Sequence, residues 1–369
     1  MDLITRFGTC LDKNYKLLVL LALSIQVVST FILVFTYQLT WDRGLWYSIV
    51  AKMPEEIPYL TTDSFIHGGN DYPIFLTYYL LMLKPFSWNF ESFSIALGLT
   101  QVIASAVIFY YTTKLLVHFK LSKYRLIGLA AAPVYTLLAV VRFDLIPAAL
   151  TVAALYYLLK SRVSLSALLA AIGFCFKLFP IVLLAAAFRR HKFKKYLLVF
   201  TLSVIIIYLP ALLTHPITIL TAFQPAAPRP ESFFGLLGLL GLSVPYYSII
   251  NYSLMGFLLA IVIIKKSRKP LNITICLIIT LLVTSTIFSP QWTVWILPLL
   301  LIAGFNPVVV LAYDWITIIE FPFVWMSVFS LTNGFDYSMF AISNPLVLLF
   351  VILNFARYAL LYYFYAKSL

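Results

Sequence analysis

Residues 17–37 read LLVLLALSIQVVSTFILVFTY, a run of 21 residues without a charged side chain. A helix needs about 20 apolar residues to cross the hydrocarbon core of a bilayer. The run is too long for the apolar core of a signal peptide and has no small-residue cleavage site. It therefore predicts a first membrane span that is retained in the mature protein.

The whole chain has the composition of a polytopic membrane protein. Of its 369 residues, 63% are hydrophobic and only 11% are charged, and the mean hydropathy is +0.99. Soluble domains are about one quarter charged, so an ordinary soluble protein and a disordered chain are both excluded. The apolar runs are continuous rather than alternating, which disfavours a membrane barrel. We predict an all-α bundle of about 10–12 membrane helices in a single integral-membrane domain, residues 1–369.

The basic residues indicate how the chain is oriented in the membrane. The formal net charge is +13, and most of the lysines and arginines form short clusters between apolar runs. Such clusters are typical of cytoplasmic loops and argue against a nucleic-acid partner. We predict a cytoplasmic N-terminus, with segments 38–72 and 214–245 as the first and second external loops. The membrane is the plasma membrane, or the endoplasmic reticulum in a eukaryote.

Polar residues interrupt two pairs of short apolar runs. The first pair is broken at Arg142-Phe143-Asp144, and the second at Lys177, with Pro180 just beyond. A basic loop precedes and follows each pair, so both ends of each pair are predicted to lie on the same, cytoplasmic side of the membrane. Each pair is therefore predicted to be a short or re-entrant hairpin. Non-helical backbone at membrane depth occurs only where it is buried in protein or lines a wet cavity. We therefore expect both tips to line a cavity, and the short run 73–87 to dip into the membrane without crossing it.

The charges at these tips are candidates for a functional site, because a charge in the bilayer costs about 2.5–3.5 kcal/mol on insertion scales. Lys177 has the chemistry to hold a phosphate as a point charge. It is equally able to snorkel to the interface or to be a structural partner for Asp144. Arg142 and Asp144 have the alternative of pairing with each other.

Two further motifs place polar residues at predicted external positions. Asp42 follows the first span and is close to Trp46 and Tyr47, which suit a membrane interface; the alternative is an ordinary loop acid paired with Arg43. The motif Ser289-Pro290-Gln291-Trp292 separates two apolar runs, and its alternative is a proline turn with an interfacial Trp. The histidines and cysteines show no metal-ligand spacing.

The order of these motifs resembles that of the GT-C glycosyltransferases, which use polyprenyl-phosphate sugars. Within them the chain is most similar to glycosyltransferase family 87, which includes polyprenyl-phosphomannose-dependent mannosyltransferases. The resemblance covers residues 15 to 305. The matching positions are Asp42, Tyr47, Tyr72-Pro73, Lys177, Pro180, Ser289-Pro290-Gln291-Trp292 and Trp295. The chain departs from the family pattern at Ile74 and at Phe143-Asp144.

The resemblance implies an inverting transfer of a hexose, mannose foremost, from a lipid-linked donor to a glycolipid, lipid-linked or glycan acceptor on the external face. It implies these roles: Asp42 as catalytic base, Lys177 and Arg142 as phosphate ligands, Asp144, Tyr72 and Gln291 as sugar contacts, and Tyr47 and Trp292 as further substrate-binding residues. The expected partners are the polyprenyl-phosphate sugar, which is the donor substrate, the acceptor and membrane lipids. No cofactor and no metal is expected.

The sequence leaves two other classes of function open, a transporter and a membrane scaffold. A lipid or solute transporter would also have broken helices with buried charge, but near the midplane and often in repeated halves. No internal repeat is evident in the sequence. A membrane scaffold without catalysis leaves Lys177 and Asp144 without a role.

Overall fold

The computed structural model describes residues 3–34, 41–53, 73–188, 192–214, 231–240, 247–264, 269–320 and 345–369. No β-strand occurs in these ranges. The α-helices are α1 (Leu3–Lys13), α2 (Tyr15–Val34), α3 (Trp41–Lys52), α4 (Phe75–Leu83), α5 (Phe90–His118), α6 (Ile127–Ala130), α7 (Leu145–Leu159), α8 (Val163–Phe176), α9 (Val182–Phe188), α10 (Phe193–Thr214), α11 (Phe233–Leu239), α12 (Tyr247–Ile264), α13 (Pro270–Thr284), α14 (Leu297–Ile302), α15 (Pro307–Ile318) and α16 (Pro345–Ser368).

The lengths of the helices identify a membrane protein. Four helices, α2, α5, α10 and α16, are long and apolar enough to cross a bilayer, and a fifth span results if the bent pair Lys123–Ala130 and Val134–Val141 counts as one. Seven more apolar helices have 10–17 residues. The prediction of an all-α, multi-pass bundle is confirmed to this extent, while the total of 10–12 membrane helices stays a prediction.

The most extensive packing between helices joins α2, α5, α7, α8 and α10. Helix α7 packs against α8 and α5, α8 packs against α10, and α2 packs against α5. Gly98 of α5 lies against the side chain of Thr30 in α2, where a Cβ atom would clash. Small residues of this kind let membrane helices approach closely enough for van der Waals packing, which drives their association in lipid.

Both predicted helix breaks are present. The backbone is extended at Arg142, immediately before α7, and again at Lys177, immediately after α8. The second break follows from Pro180, because a helix continued through it would lose one hydrogen bond and clash with the carbonyl of Phe176. At position 173 a Cβ atom would lie 3.1 Å from the Pro180 ring, so Gly173 leaves room for the chain to fold back.

Part of segment 38–72, which is predicted to be the first external loop, is helical. Helix α3 begins at Trp41; Trp46 and Val50 are buried on one side of it, and Met53, just after its end, is also buried. This spacing of about one helical turn was present in the sequence but was outweighed by the acids that follow it. The second predicted loop, 214–245, likewise contains α11. In the short run 73–87, α4 has nine residues and is too short to cross the hydrocarbon core alone.

A third break, at residues 131–133, bends the chain by 65° between Lys123–Ala130 and Val134–Val141. The backbone N–H of Val134 donates to Asp314 Oδ2 of α15 at 2.9 Å, and the hydroxyl of Thr293 donates to Oδ1 at 3.4 Å. Asp314 is fully buried. An intramembrane carboxylate thus accepts a backbone N–H that would have no partner in lipid.

Asp12 connects the amphipathic helix α1 by hydrogen bonds to residues 122–123, which follow α5. Its Oδ1 accepts hydrogen bonds from the Ser122 hydroxyl at 2.6 Å and from the backbone N–H of Lys123 at 2.5 Å. The hydrogen bond from the Ser122 hydroxyl has the largest effect and lowers the pKa of Asp12. The hydrogen bond from the Lys123 N–H lowers it further. A carboxylate whose pKa is lower in the folded protein stabilises it above the unfolded pKa, and this contribution is lost as the pH falls through the folded value.

The replacement Asp314→Ala should lower the free energy of unfolding by about 1–3 kcal/mol, because it leaves the buried Val134 N–H without an acceptor. Asp314→Asn keeps an oxygen at this position and should remain close to wild type. Thermal unfolding in detergent measures both. Equal melting temperatures for Asp314→Ala and Asp314→Asn would contradict the role of the carboxylate as acceptor.

The replacement Asp12→Ala should cost about 1 kcal/mol at neutral pH, a typical value for losing a cap. Its difference from wild type should begin to shrink as the pH falls below about 4, the unfolded pKa, and should vanish only below the lower folded pKa, where Asp12 is protonated in both states. The measurement is a series of melting curves between neutral pH and pH 3. A difference that does not change with pH would show that the carboxylate charge is not responsible.

Candidate functional site

The breaks at 142–144 and 177–178 meet a third irregular segment, the 3-10 helix Pro290–Trp295. The ammonium of Lys177 donates to Asp144 Oδ1 at 2.7 Å, and the indole N–H of Trp295 donates to the same oxygen at 3.1 Å. The side chains of Lys177 and Asp144 are only 9% and 1% exposed. One carboxylate oxygen therefore joins three separate parts of the chain inside the protein.

Aromatic rings complete the surroundings of the ammonium. Lys177 Nζ lies 5.1 Å from the ring centre of Phe143, 5.3 Å from that of Trp292 and 5.2 Å from that of Trp295. The two indoles stack with centroids 4.8 Å apart. Ring faces attract a cation, and most strongly where water is excluded. We call Phe143, Asp144, Lys177, Trp292 and Trp295 the break cluster.

Among the alternatives raised by the sequence, the structure supports Lys177 as a direct ion-pair partner of Asp144. Arg142 is half-buried, has extended backbone and lies within electrostatic reach of both charges. Two cationic side chains and one carboxylate thus lie close together at the two breaks.

Asp42 lies in the first turn of α3, and its side chain is outside the described residues. The orientation of α3 is set by its neighbour Arg43, which donates to the Leu33 carbonyl of α2 at 2.7 Å. One turn after Asp42, Trp46 packs edge-on against Phe143, with ring centroids 5.0 Å apart. Asp42 precedes Trp46 by four residues in α3.

The other predicted site residues have different surroundings. Gln291 is buried beside the break cluster, and its side chain makes no hydrogen bond to a described residue. The Trp292 indole N–H is also buried without a hydrogen-bond partner within the described chain. Tyr47 instead packs against Phe90 and Phe93 of α5. Tyr72 lies outside the described residues.

A second buried polar group was not predicted from the sequence. Arg357 of α16 pairs with Glu320 at 2.5 Å, both fully buried, and also donates to Asn354 Oδ1. Its guanidinium lies 3.8 Å from the ring centre of Phe288, which in turn contacts Trp292. Asn354 and Arg357 are three residues apart in an apolar helix, and polar residues at such positions could have predicted this buried group from the sequence.

No group of three or more His, Cys, Asp or Glu side chains that could hold a metal ion occurs in the described ranges. The chain matches no protein-family model, and no curated protein is similar to it. The resemblance to glycosyltransferase family 87 therefore stands on the motifs alone.

The replacement Lys177→Met should destabilise the fold by about 3–5 kcal/mol, because it leaves the Asp144 carboxylate buried without its cation. The double replacement Lys177→Met/Asp144→Leu removes both charges and should recover most of that loss. Thermal unfolding of the three proteins in the same detergent provides the comparison. If the single variant is as stable as wild type, the pair does not hold the breaks together.

Proposed function

We propose that the protein is a membrane glycosyltransferase. In this proposal it moves a hexose, mannose foremost, from a polyprenyl-phosphate sugar to a lipid-linked, glycolipid or glycan acceptor on the external face, with inversion. The observation that carries the proposal is the buried Lys177–Asp144 pair where three helix interruptions meet. Trp46, one turn after Asp42 in α3, packs against Phe143 at the first break, and this contact supports it further.

The charge of the break cluster region suits the donor. A polyprenyl-phosphate sugar is a phosphodiester with one negative charge, and Lys177 and Arg142 place two cationic side chains at the breaks. A lysine and an arginine are the usual cationic ligands of phosphate in proteins. In the proposal they pair with this phosphate while the polyprenyl tail stays in the membrane.

The proposed reaction is a direct displacement at the anomeric carbon. The acceptor hydroxyl oxygen forms a bond to this carbon, the bond between the carbon and the phosphate oxygen breaks, and its electron pair goes to the leaving lipid phosphate. Asp42 takes the proton of the acceptor hydroxyl. A single carboxylate base is sufficient for inversion, whereas retaining hydrolases need two for a covalent intermediate.

The cations have their largest effect on the leaving group. As the bond to carbon breaks, the phosphate gains a second negative charge, so Lys177 and Arg142 would stabilise the transition state more than the bound donor. Gln291 and the Trp292 indole N–H offer hydrogen-bonding groups that no described residue occupies. In the proposal these two, with Asp144 and Tyr72, contact the sugar.

The test is transfer by purified protein in detergent with added lipid. Wild type, Asp42→Asn and Glu91→Gln each receive labelled polyprenyl-phosphate mannose or glucose with a membrane-lipid extract, and mass spectrometry identifies the products. Glu91 is an exposed acid at the start of α5 and provides the matched control. Wild type and Glu91→Gln should add a hexose, while Asp42→Asn should lose at least about 100-fold in rate, the range of general-base catalysis.

Substantial transfer by Asp42→Asn would remove this residue from the role of base. Vesicles that contain the purified protein distinguish the transporter alternative, because movement of labelled donor across the bilayer without any product would favour a flippase. Equal protein yield and melting temperature of the three proteins exclude misfolding as the reason for lost activity.

A further inference from the structure

Two neighbouring helices carry the same short pattern. Residues 110–114 of α5 read YYTTK, and residues 156–160 at the end of α7 read YYLLK. In each copy two adjacent tyrosines are followed by a lysine, which lies one helical turn after the first tyrosine. Positions four residues apart share a face of a helix, so each lysine can lie over a tyrosine ring.

The two copies meet in the structure. The hydroxyls of Tyr111 and Tyr157 are 2.9 Å apart and hydrogen-bonded to each other. The ring of Tyr111 also contacts that of Tyr156, with centroids 5.4 Å apart. Lys114 Nζ lies 5.4 Å from the ring centre of Tyr110, and Lys160 Nζ lies 6.0 Å from that of Tyr156. We call these four tyrosines and two lysines the tyrosine–lysine patch.

The patch is accessible and has an excess of positive charge. Lys114 and Lys160 are exposed, and Tyr110 is 56% exposed. Residues 92–143 and 145–230 contain no Asp or Glu, so neither the end of α5 and α7 that carries the patch nor the loop that follows each helix supplies a counter-ion. The patch therefore combines two cations, hydroxyl donors and aromatic rings on one surface.

The patch lies far from the break cluster, at the other end of α7. That helix runs from Leu145, next to Asp144, to Leu159, a rise of about 21 Å. The charge pattern of the sequence predicts this end to be cytoplasmic. Tyrosines and lysines at such a position lie at the level of the lipid headgroups, where an anionic leaflet attracts basic side chains.

We propose that the tyrosine–lysine patch is a binding site for the headgroup of an anionic phospholipid. The two ammonium groups lie on neighbouring helices and pair with the phosphate. In the hydroxyl pair one O–H donates to the other oxygen, which leaves the second O–H as a donor to a phosphate oxygen. The lipid would fasten α5 to α7, which carries Asp144 at its opposite end.

The test compares lipid affinities by native mass spectrometry of the full-length protein. Phosphatidylglycerol is the anionic probe and phosphatidylcholine the zwitterionic one. The variants are Lys114→Gln/Lys160→Gln, Tyr111→Phe/Tyr157→Phe and, as matched control, Lys194→Gln/Lys195→Gln, which removes two exposed lysines at the start of α10. The dissociation constant of the first bound phosphatidylglycerol is the quantity compared.

The proposal expects the Lys114/Lys160 variant to bind phosphatidylglycerol at least about tenfold more weakly, since each basic side chain near a headgroup contributes about 1 kcal/mol. The tyrosine variant keeps the rings and should lose about threefold through the missing hydroxyl. The control variant and all affinities for phosphatidylcholine should stay within twofold of wild type. An equal loss in the control pair would show general surface attraction and overturn the proposal, as would unchanged affinity in both patch variants.

Discussion

The ion pair between Lys177 and Asp144 is the interaction on which the central part of this structure depends. Each residue interrupts an apolar hairpin, and neither charge has a stable place in hydrocarbon without the other. The pair holds the two breaks against each other at 2.7 Å, and Trp295 adds the segment after Pro290 through the same carboxylate oxygen. Three aromatic rings around the ammonium replace the water that a surface lysine would have. The same grouping gives the protein a buried ion pair inside an apolar bundle.

Irregular backbone within a membrane bundle needs partners for its exposed peptide groups, and the chain supplies them from neighbouring helices. Asp314 accepts the N–H of Val134 where the span before Arg142 bends, and Arg43 donates to the last turn of α2. The Arg357–Glu320 pair reaches the same region through Phe288 and Trp292. The broken helices are thus fixed by buried polar contacts. The proposed function would need such fixed groups, because preorganised ligands cost no rearrangement when a charged headgroup binds.

The membrane class and the positions of the breaks could be predicted from the sequence, because a charge within an apolar run and a proline just beyond it are local signals. The partners could not. Lys177 and Asp144 are 33 positions apart, and several pairings satisfied the same pattern. Helix α3 was missed because its buried residues are few and an acidic stretch follows them. Tyr47 belongs to the motif that resembles the family, yet it packs against α5, since a short motif does not specify the direction of its side chains. Arg357 was missed because its partners come from distant parts of the chain.

In the proposed function, the point where residues 142–144, 177–178 and 290–295 meet holds a lipid phosphate beside Asp42. The most direct measurement is a cryo-EM structure of the protein in a lipid nanodisc with polyprenyl-phosphate mannose bound. The account predicts a phosphate oxygen within hydrogen-bonding distance of Lys177 or Arg142, with the sugar between the break cluster and the start of α3. A headgroup bound elsewhere, with the Lys177–Asp144 pair surrounded only by protein, would contradict it.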